Sequence, residues 1–393
     1  MKKLFTVLCL VLAVSLGLSA IAPAEEGVTD KEIVLGSIQD LSGPLAGWGT
    51  QAKNGLAMRA REINEAGGIN GRKIKLIFMD SGYDPKKAVI ATNKLITRDK
   101  VFCFIGNLGS PTSLACLPIT TKKKIPALFP VAAAKGFSTP FNRYSFTLHA
   151  PYSEYCRGIV RYFVKNKGAK KIGCLYQDDE FGRDHLRGTK EELAALKMPL
   201  VGAESYKRGA TDFSSQIAKL KKADVDLVVL GTVIRETVGA LKEAKEVGWK
   251  VSMSGGPAAF TKYVPLLAKK AGFSADGFYC GAETPYVYAD SDIPFVRKWY
   301  ERHKKWYGKG PDMPTAVGYI AMWFFELGAK KAGKDLTREK LIDALETIRD
   351  VQDQFKSSPI TFTPKSHLGQ HKFFMTQVKN GKFVKISDFF TFK

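Results

Sequence analysis

Residues 33–85 constrain the fold of this chain more than any other part of it. The apolar run 33–38 is followed by a Gly/Pro-rich loop at 41–49, an amphipathic run at 52–64, a Gly-rich stop and a second apolar run at 75–80. This order predicts strand, loop, helix and strand, a βαβ unit that opens a parallel sheet. Because open α/β sheets bind small ligands at the carboxyl ends of their strands, the loop after the first strand is expected to face a ligand.

The first 24 residues have the pattern of a secretory signal peptide. Lys2 and Lys3 form a basic start, residues 4–18 are apolar, and Ala22-Pro23-Ala24 offers a small-residue cleavage site. The apolar run is too short to favour a membrane-spanning helix, although an uncleaved anchor is the alternative. Residues 1–24 are therefore expected to be removed, leaving an exported protein.

Size and charge narrow the class of protein. About 370 residues remain beyond the expected signal, which is long for one hydrophobic core and suits two lobes. The formal net charge is +22, but the lysines occur in short scattered groups such as 122–124, 221–222 and 269–270. This scatter favours a solvated basic surface over one basic helix or arm, so nucleic acid is not expected as a partner.

Cysteine content also bears on the compartment. The cysteines beyond the signal are Cys103, Cys116, Cys156, Cys174 and Cys280. An odd number leaves at least one thiol unpaired in an oxidising compartment. Cys103 and Cys174 lie in apolar strand patterns and are expected to be buried thiols. The separation of Cys103 and Cys116 along the chain also permits a disulfide between them, so this alternative stays open.

The alternation of strand and helix patterns continues along the chain. Strands are predicted at 101–105, 126–129, 144–148, 171–176, 226–230, 251–254 and 277–280, with amphipathic helices between most of them. A mostly helical section follows at 293–306, 313–332 and 338–347, and then short strands at 360–362, 372–378 and 383–386. Two βα series that meet near residues 149–151 predict an α/β fold with two doubly wound, Rossmann-like lobes.

Three motifs resemble catalytic or metal sites but lack the required context. Residues 328–335 have the spacing of a phosphate-binding loop, yet they end a helix, and Asp335 replaces the Ser/Thr that would hold magnesium. His367 and His371 lie in strand-like sequence, which argues against a helical ligand pair. The acidic residues 178–180 lack the further acidic spacing of a calcium loop. No catalytic residue, cofactor or metal is predicted, and the chain is not expected to be an enzyme.

Several motifs, in order along the chain, resemble those of the leucine/isoleucine/valine-binding family of periplasmic solute-binding proteins. They are Ser42-Gly43-Pro44, residues 63–71, Asp80 with Asp84-Pro85, Ile105-Gly106 with Ser110, and Phe181-Gly182. Members of this family are exported receptors that deliver solutes to the permease of an ABC importer. The resemblance implies the type I periplasmic binding fold, with two lobes joined by three hinge crossings and a ligand in the cleft between them.

The same resemblance implies boundaries for these lobes. The N-terminal lobe would comprise residues 25–149 and 285–358, and the C-terminal lobe residues 150–284 and 359–393. The crossings would lie near residues 148–151, 281–285 and 359–362.

The resemblance also implies which residues contact the ligand. Ser110 matches a serine that binds the ligand carboxylate together with N–H groups at a helix start, although a simple N-cap is the alternative. Trp48 matches an aromatic wall of the cleft. Tyr152 and Phe181 are further wall candidates, or core residues. The other candidates are Pro111, Val131, Ala132, Ala133, Arg235 and Ala258.

Two departures from the family's amino-acid binders bear on the ligand. Residues 130–134 lack the usual hydroxyl, and Ala258 stands where an acid often pairs with the ligand ammonium. Breaking such a buried pair costs about 2–5 kcal/mol. The expected ligand is therefore a small organic carboxylate without an α-ammonium, with an aromatic or branched apolar body, unless Glu236 or Glu283 supplies the acid. Arg235 is either a cation for this ligand or a surface residue.

Hinge closure around the ligand is the expected mechanism, since a ligand that bridges both lobes shifts the open–closed equilibrium. The expected partner is the membrane permease. The alternatives are a branched-chain amino acid receptor of the same type, a ligand-sensing partner of a membrane receptor, and a secreted hydrolase.

Overall fold

The computed structural model describes residues 25–391, so the expected signal peptide lies outside the described residues. The first sheet has five parallel strands in the order β2-β1-β3-β4-β5. Its strands are β1 Glu32–Gln39, β2 Lys73–Asp80, β3 Cys103–Ile105, β4 Ala127–Leu128 and β5 Ser145–Phe146. The apolar runs predicted this sheet because a parallel sheet is covered by helices on both faces.

Three helices connect the first strands of this sheet. They are α1 Ala46–Glu65, α2 Pro85–Thr97 and α3 Ser110–Lys122. Helix α2 begins at Pro85, three residues before the predicted start at Ala88, because the Asp84 side chain accepts hydrogen bonds from two first-turn N–H groups and Pro85 occupies the first turn. Helix α1 begins before the predicted residue 52, although its first turn contains Gly47 and Gly49; Gly49 packs so closely on the backbone of Asp40 that a Cβ there would lie 1.8 Å from the Asp40 carbonyl oxygen.

The second sheet is mixed and has eight strands. Strands β6 to β10 run parallel, while β11 pairs antiparallel with β10 and with β12, and β13 pairs with β11. The strands are β6 Ile172–Gln177, β7 Leu200–Tyr206, β8 Leu227–Gly231, β9 Ser252–Gly255, β10 Tyr279–Ala282, β11 Lys372–Lys379, β12 Lys382–Lys385 and β13 Phe390–Thr391.

The remaining helices belong to two groups. Those interspersed with the second sheet are α4 Tyr152–Lys167, α5 Glu180–Ala195, α6 Ser214–Lys222, α7 Ile234–Glu246 and α8 Tyr263–Lys270. The later ones are α9 Pro294–Tyr307, α10 Met313–Ala332 and α11 Arg338–Leu345. Helix α10 packs against α1 of the first sheet so closely that a Cβ at Gly55 would lie 2.0 Å from the carbonyl oxygen of Thr315. The chain therefore returns to the first lobe after β10.

The α/β prediction of two lobes is confirmed, and the segments that connect the lobes lie side by side. Thr147 forms a bridge with Leu368, and the backbone N–H of Ser358 donates to the carbonyl oxygen of Glu283 at 2.9 Å. The hydroxyls of Thr284 and Ser357 are 2.8 Å apart. The residue boundaries of the lobes stay a prediction.

Some local predictions are wrong. Strand β7 and helix α8 were not predicted, because β7 is a half-exposed edge strand and α8 is short. The strand predicted at 360–362 is only an isolated bridge between Ile360 and Val351. A Cys103–Cys116 bridge is absent, since the five cysteines of residues 25–391 are free and buried, as expected for Cys103 and Cys174. Within the same residues, no helix has the length and apolar character needed to cross a bilayer.

Candidate functional site

A cavity of about 60 Å³ lies where the carboxyl ends of the two sheets face each other. Its walls are mostly apolar, and they come from loops and helix starts of both lobes. Residues on the first-lobe side are Leu45, Trp48, Tyr83, Leu108, Gly109, Ser110, Val131, Ala132, Ala133, His149, Met313 and Val317. Those on the other side are Tyr152, Phe181, Val233, Pro257, Ala258, Phe260, Ala282, Glu283 and Thr284. The lobes are in contact around this space.

Trp48 closes the cavity from the first lobe. It lies in the first turn of α1 and is 8% exposed. Its indole N–H donates to the carbonyl oxygen of Ala258 in the other lobe at 3.2 Å. One turn further along α1, the side-chain amide of Gln51 donates to the Tyr263 hydroxyl at 3.5 Å. The ring is thus both an apolar wall and a contact between lobes.

Ser110 presents a buried hydroxyl to the cavity, with the phenol of Tyr152 close to it. The residue is the first of α3 and is 1% exposed, and its Oγ has no hydrogen-bond partner in good geometry. Gly109, with φ of +93°, occupies the N-cap, so the N-cap alternative for Ser110 is wrong. An unsatisfied buried hydroxyl costs about 1–3 kcal/mol, which a ligand acceptor would relieve. The positive end of the helix dipole favours an anion at the same place.

An aromatic cluster forms the wall opposite. The rings of Tyr152 and Phe181 meet edge to face, with centroids 4.9 Å apart. His185, fully buried behind them, stacks on Tyr152 with centroids 4.6 Å apart, and its Nδ1–H donates to the Phe181 carbonyl oxygen at 2.9 Å. Burial lowers the pKa of His185, so the neutral imidazole supports both rings. No pattern in the sequence pointed to His185, because a histidine inside a helix carries no signal of what it packs against.

A second polar feature of the cavity is an acid with two partners. Glu283 accepts hydrogen bonds from the Nδ1–H of His149 and from the hydroxyl of Tyr155. His149 and Glu283 both line the cavity, and their side chains are 11% and 8% exposed. The sequence analysis named Glu283 only as a possible acid and missed His149, which precedes α4 at a predicted crossing.

Tyr83 and Arg208 join the lobes at another edge of the cavity. The guanidinium of Arg208 lies over the Tyr83 ring at 4.8 Å and donates to the Tyr83 carbonyl oxygen at 3.0 Å. It also donates to Asp179 at 2.9 Å, and Asp179 caps the start of α5 next to Phe181. Tyr83 has φ of +60°, a strained conformation for a bulky residue that tertiary contacts must stabilise. The sequence carries no local signal for this pair.

Most of the predicted ligand contacts surround this cavity. Those that line it are Trp48, Ser110, Val131, Ala132, Ala133, Tyr152, Phe181 and Ala258. Pro111 lies instead in an adjacent groove with Leu114 and Arg208. Arg235 is exposed, because the first turn of α7 directs it to solvent and turns Glu236 inward. Glu236 is buried but does not line the cavity.

Comparison with known proteins places this two-lobed chain in a family. Residues 32–382 match the family model described as periplasmic binding protein. The chain belongs to the periplasmic binding protein family. Its α/β architecture is that of the type I members, in which parallel-sheet lobes enclose a cleft.

Individual relatives of this periplasmic binding protein differ in the solutes that their names give. An amino acid binding protein from Pseudomonas aeruginosa is 29% identical over 256 residues, which are 63% of this chain and 65% of that protein. The Leu/Ile/Val-binding protein of Citrobacter freundii is 27% identical over 268 residues, 68% of this chain and 71% of the relative. A fatty acid ABC transporter substrate-binding protein from Thermomonospora curvata is 26% identical, with a TM-score of 0.83 over 94% of each chain.

Proposed function

We propose that this protein is the extracytoplasmic receptor of an ABC importer and that it traps a small organic carboxylate with an aromatic or branched apolar body. The buried, unpartnered hydroxyl of Ser110 at the start of α3 carries this proposal. It offers a donor at a helix N-terminus within a cavity whose other walls are mainly apolar. This combination suits an anionic head and a hydrophobic body.

Two observations favour a ligand without an α-ammonium. The one acid on the cavity wall, Glu283, already accepts hydrogen bonds from His149 and Tyr155, so an ammonium would have to compete with both. The relative from Thermomonospora curvata is named for fatty acids, which are carboxylates with no ammonium. Trp48 and Phe181 supply flat apolar walls for the body of such a ligand.

Binding would be coupled to closure of the lobes rather than to catalysis. A ligand between Ser110 and Phe181 contacts both lobes only when they are closed, and this differential contact shifts the open–closed equilibrium. The closed form would then dock on the permease. This role implies export to the periplasm, consistent with the family's name and with the signal pattern of residues 1–24.

A branched-chain amino acid is the second candidate ligand. Glu283 favours it, because a carboxylate on the cavity wall is the group that an ammonium requires. The names of the relatives from Pseudomonas aeruginosa and Citrobacter freundii support the same choice. In this case Glu283 would exchange one of its present partners for the ligand.

Thermal-shift and calorimetric titrations of refolded, ligand-stripped protein test these candidates. The probes are 4-methylpentanoate, 3-phenylpropanoate, their amides, leucine and valine. A ligand at about 1,000 times its dissociation constant stabilises the protein by about 4 kcal/mol, which gives a clear shift. We expect stabilisation by the carboxylates and not by their amides. Stabilisation by leucine and valine alone would replace the carboxylate with the second candidate, and a chain that no probe stabilises would contradict both.

Ser110→Ala, with Ser113→Ala as the matched control, tests the proposed head-group contact. Both hydroxyls belong to α3 and are buried without partners, but only Ser110 lines the cavity. Removing a donor to a charged acceptor should weaken carboxylate binding by about tenfold or more in the Ser110 variant. The Ser113 variant should bind like the original protein. Equal affinities in the two variants would contradict the assignment of the head group to Ser110.

A further inference from the structure

The cavity lacks the cation that a buried carboxylate would normally require. Among residues 25–391, none of those that line it is a lysine or an arginine. Glu283 already brings one negative charge to its wall, so a carboxylate ligand would add a second in the same low-dielectric space. Bringing two carboxylates together in this way is unfavourable unless a proton or a cation lies between them. His149 is the one histidine on the wall, and it is already bonded to Glu283.

The bond to Glu283 determines which nitrogen of His149 a ligand can reach. Since an ionised carboxylate only accepts hydrogen bonds, Nδ1 carries a proton and donates it to Glu283. This bond leaves Nε2 without a proton, and Nε2 becomes a donor only when the ring takes up a second proton. Tyr155 donates to the other oxygen of Glu283 and holds the acid in place. An acid that orients one ring nitrogen stabilises the imidazolium form.

The polar groups of the cavity lie near one another. The Tyr152 hydroxyl is close to the Ser110 side chain and is also within range of the Glu283 charge. Burial raises the pKa of Tyr152, so its phenol stays protonated. One ligand head group could therefore contact Ser110, Tyr152 and His149.

We propose that His149, oriented by Glu283, is the cationic contact for the ligand carboxylate and takes up a proton when the ligand binds. This inference rests on the proposed function and deepens it, because it gives the ligand head a specific ionic partner. The bound state would hold imidazolium between two carboxylates, with Ser110 as a neutral donor. An amide lacks the charge that draws this proton onto the ring, so the pair selects acids over amides.

Other titratable groups face this pair. On α4 they are the phenols of Tyr152 and Tyr155. On the segment before the third crossing, Asp353 is close enough to feel the charge of Glu283, and burial raises the pKa of Asp353. None of these groups supplies a cation.

Titration calorimetry with 4-methylpentanoate and 3-phenylpropanoate in two buffers of different ionisation enthalpy measures the proton directly. We expect the apparent binding enthalpy to differ between the two buffers, which reports a net uptake of protons when the carboxylate binds. Dissociation constants should rise as the pH is raised, because the protonated ring binds the carboxylate and the neutral ring does not. Tight binding with no buffer dependence and no pH dependence would overturn the inference and leave the proposed function standing. No binding of either carboxylate would overturn both.

Two variants separate a titrating role from a structural one. His149→Asn keeps a donor near the Nδ1 position for Glu283 but removes Nε2, so proton uptake should vanish and affinity should fall by about thirtyfold. Ser110→Ala is the control, since it weakens binding through a neutral group and should leave proton uptake unchanged. Uptake that persists in the His149 variant would overturn the assignment. If that variant fails to fold, the buffer and pH dependence of the original protein decide the question.

Discussion

Arg208 should control how long a ligand stays bound, although it does not line the cavity. Its guanidinium follows β7 of the second sheet and reaches Tyr83, which follows β2 of the first. The hydrogen bond to the Tyr83 carbonyl and the contact with its ring join the two lobes, so we expect opening of the cleft to break both. The bond from Arg208 to Asp179 stays within one lobe, so we expect opening to leave it intact.

The size of the effect of Arg208→Ala follows from these contacts. A hydrogen bond to a charged group contributes about 1.5–3 kcal/mol, and the lower end applies because the Arg208 side chain is 30% exposed. The cation–π contact adds about 0.5–1 kcal/mol at a partly exposed site. A loss of about 2 kcal/mol from the closed state lowers its population relative to the open state about thirtyfold. Ligand dissociation should accelerate by about the same factor, while association changes by less than about threefold.

Stopped-flow fluorescence, with Trp48 as the reporter on the cavity wall, measures both rates. Arg183→Ala is the matched control, because Arg183 pairs with Asp178 inside one lobe and its side chain is 58% exposed. The control should release ligand at the original rate. Equal dissociation rates in both variants, or a loss confined to association, would refute the role of Arg208.

Three further outcomes are expected. Gly109→Ala should lower the free energy of unfolding, measured in urea titrations, by about 1–3 kcal/mol, because φ is +93° and the new Cβ would lie 2.5 Å from the Tyr83 ring. Gly47→Ala is the control and should not lower it, because the space around its new Cβ is open. Protein produced without residues 1–24 should expose its five thiols to Ellman's reagent only after unfolding, since they are buried and burial raises the pKa of Cys103. Burial lowers the pKa of His185 and His303, so at acidic pH the unfolded chain binds more protons than the folded chain. The stability of ligand-free protein should therefore fall as the pH drops below about 6.5, by up to about 1.4 kcal/mol per pH unit for each histidine.

Local sequence predicted the regular elements well where burial was continuous. Strands β3 and β8 are uninterrupted apolar runs. Helix α10 Met313–Ala332 begins and ends at the predicted residues, and Asp312 caps its start. The prediction failed where a residue's environment outweighed its propensity. In edge strand β7 the alternation of apolar and polar residues is too weak to be recognised, and the first turn of α1 contains two glycines, whose low helix propensity hid the start of the helix.

The sequence by itself determined the order of most strands and helices and the two-lobed fold, and the motifs it shares with a protein family implied eight of the residues around the cavity. These follow from hydrophobic periodicity and from motifs whose spacing along the chain is local. Only the tertiary structure decided which distant side chains meet. His149 and Glu283 are 134 residues apart, and Arg208 is 125 residues from Tyr83. Sheet order and the closed arrangement of the lobes bring these residues together, and no periodicity of a single segment records such contacts.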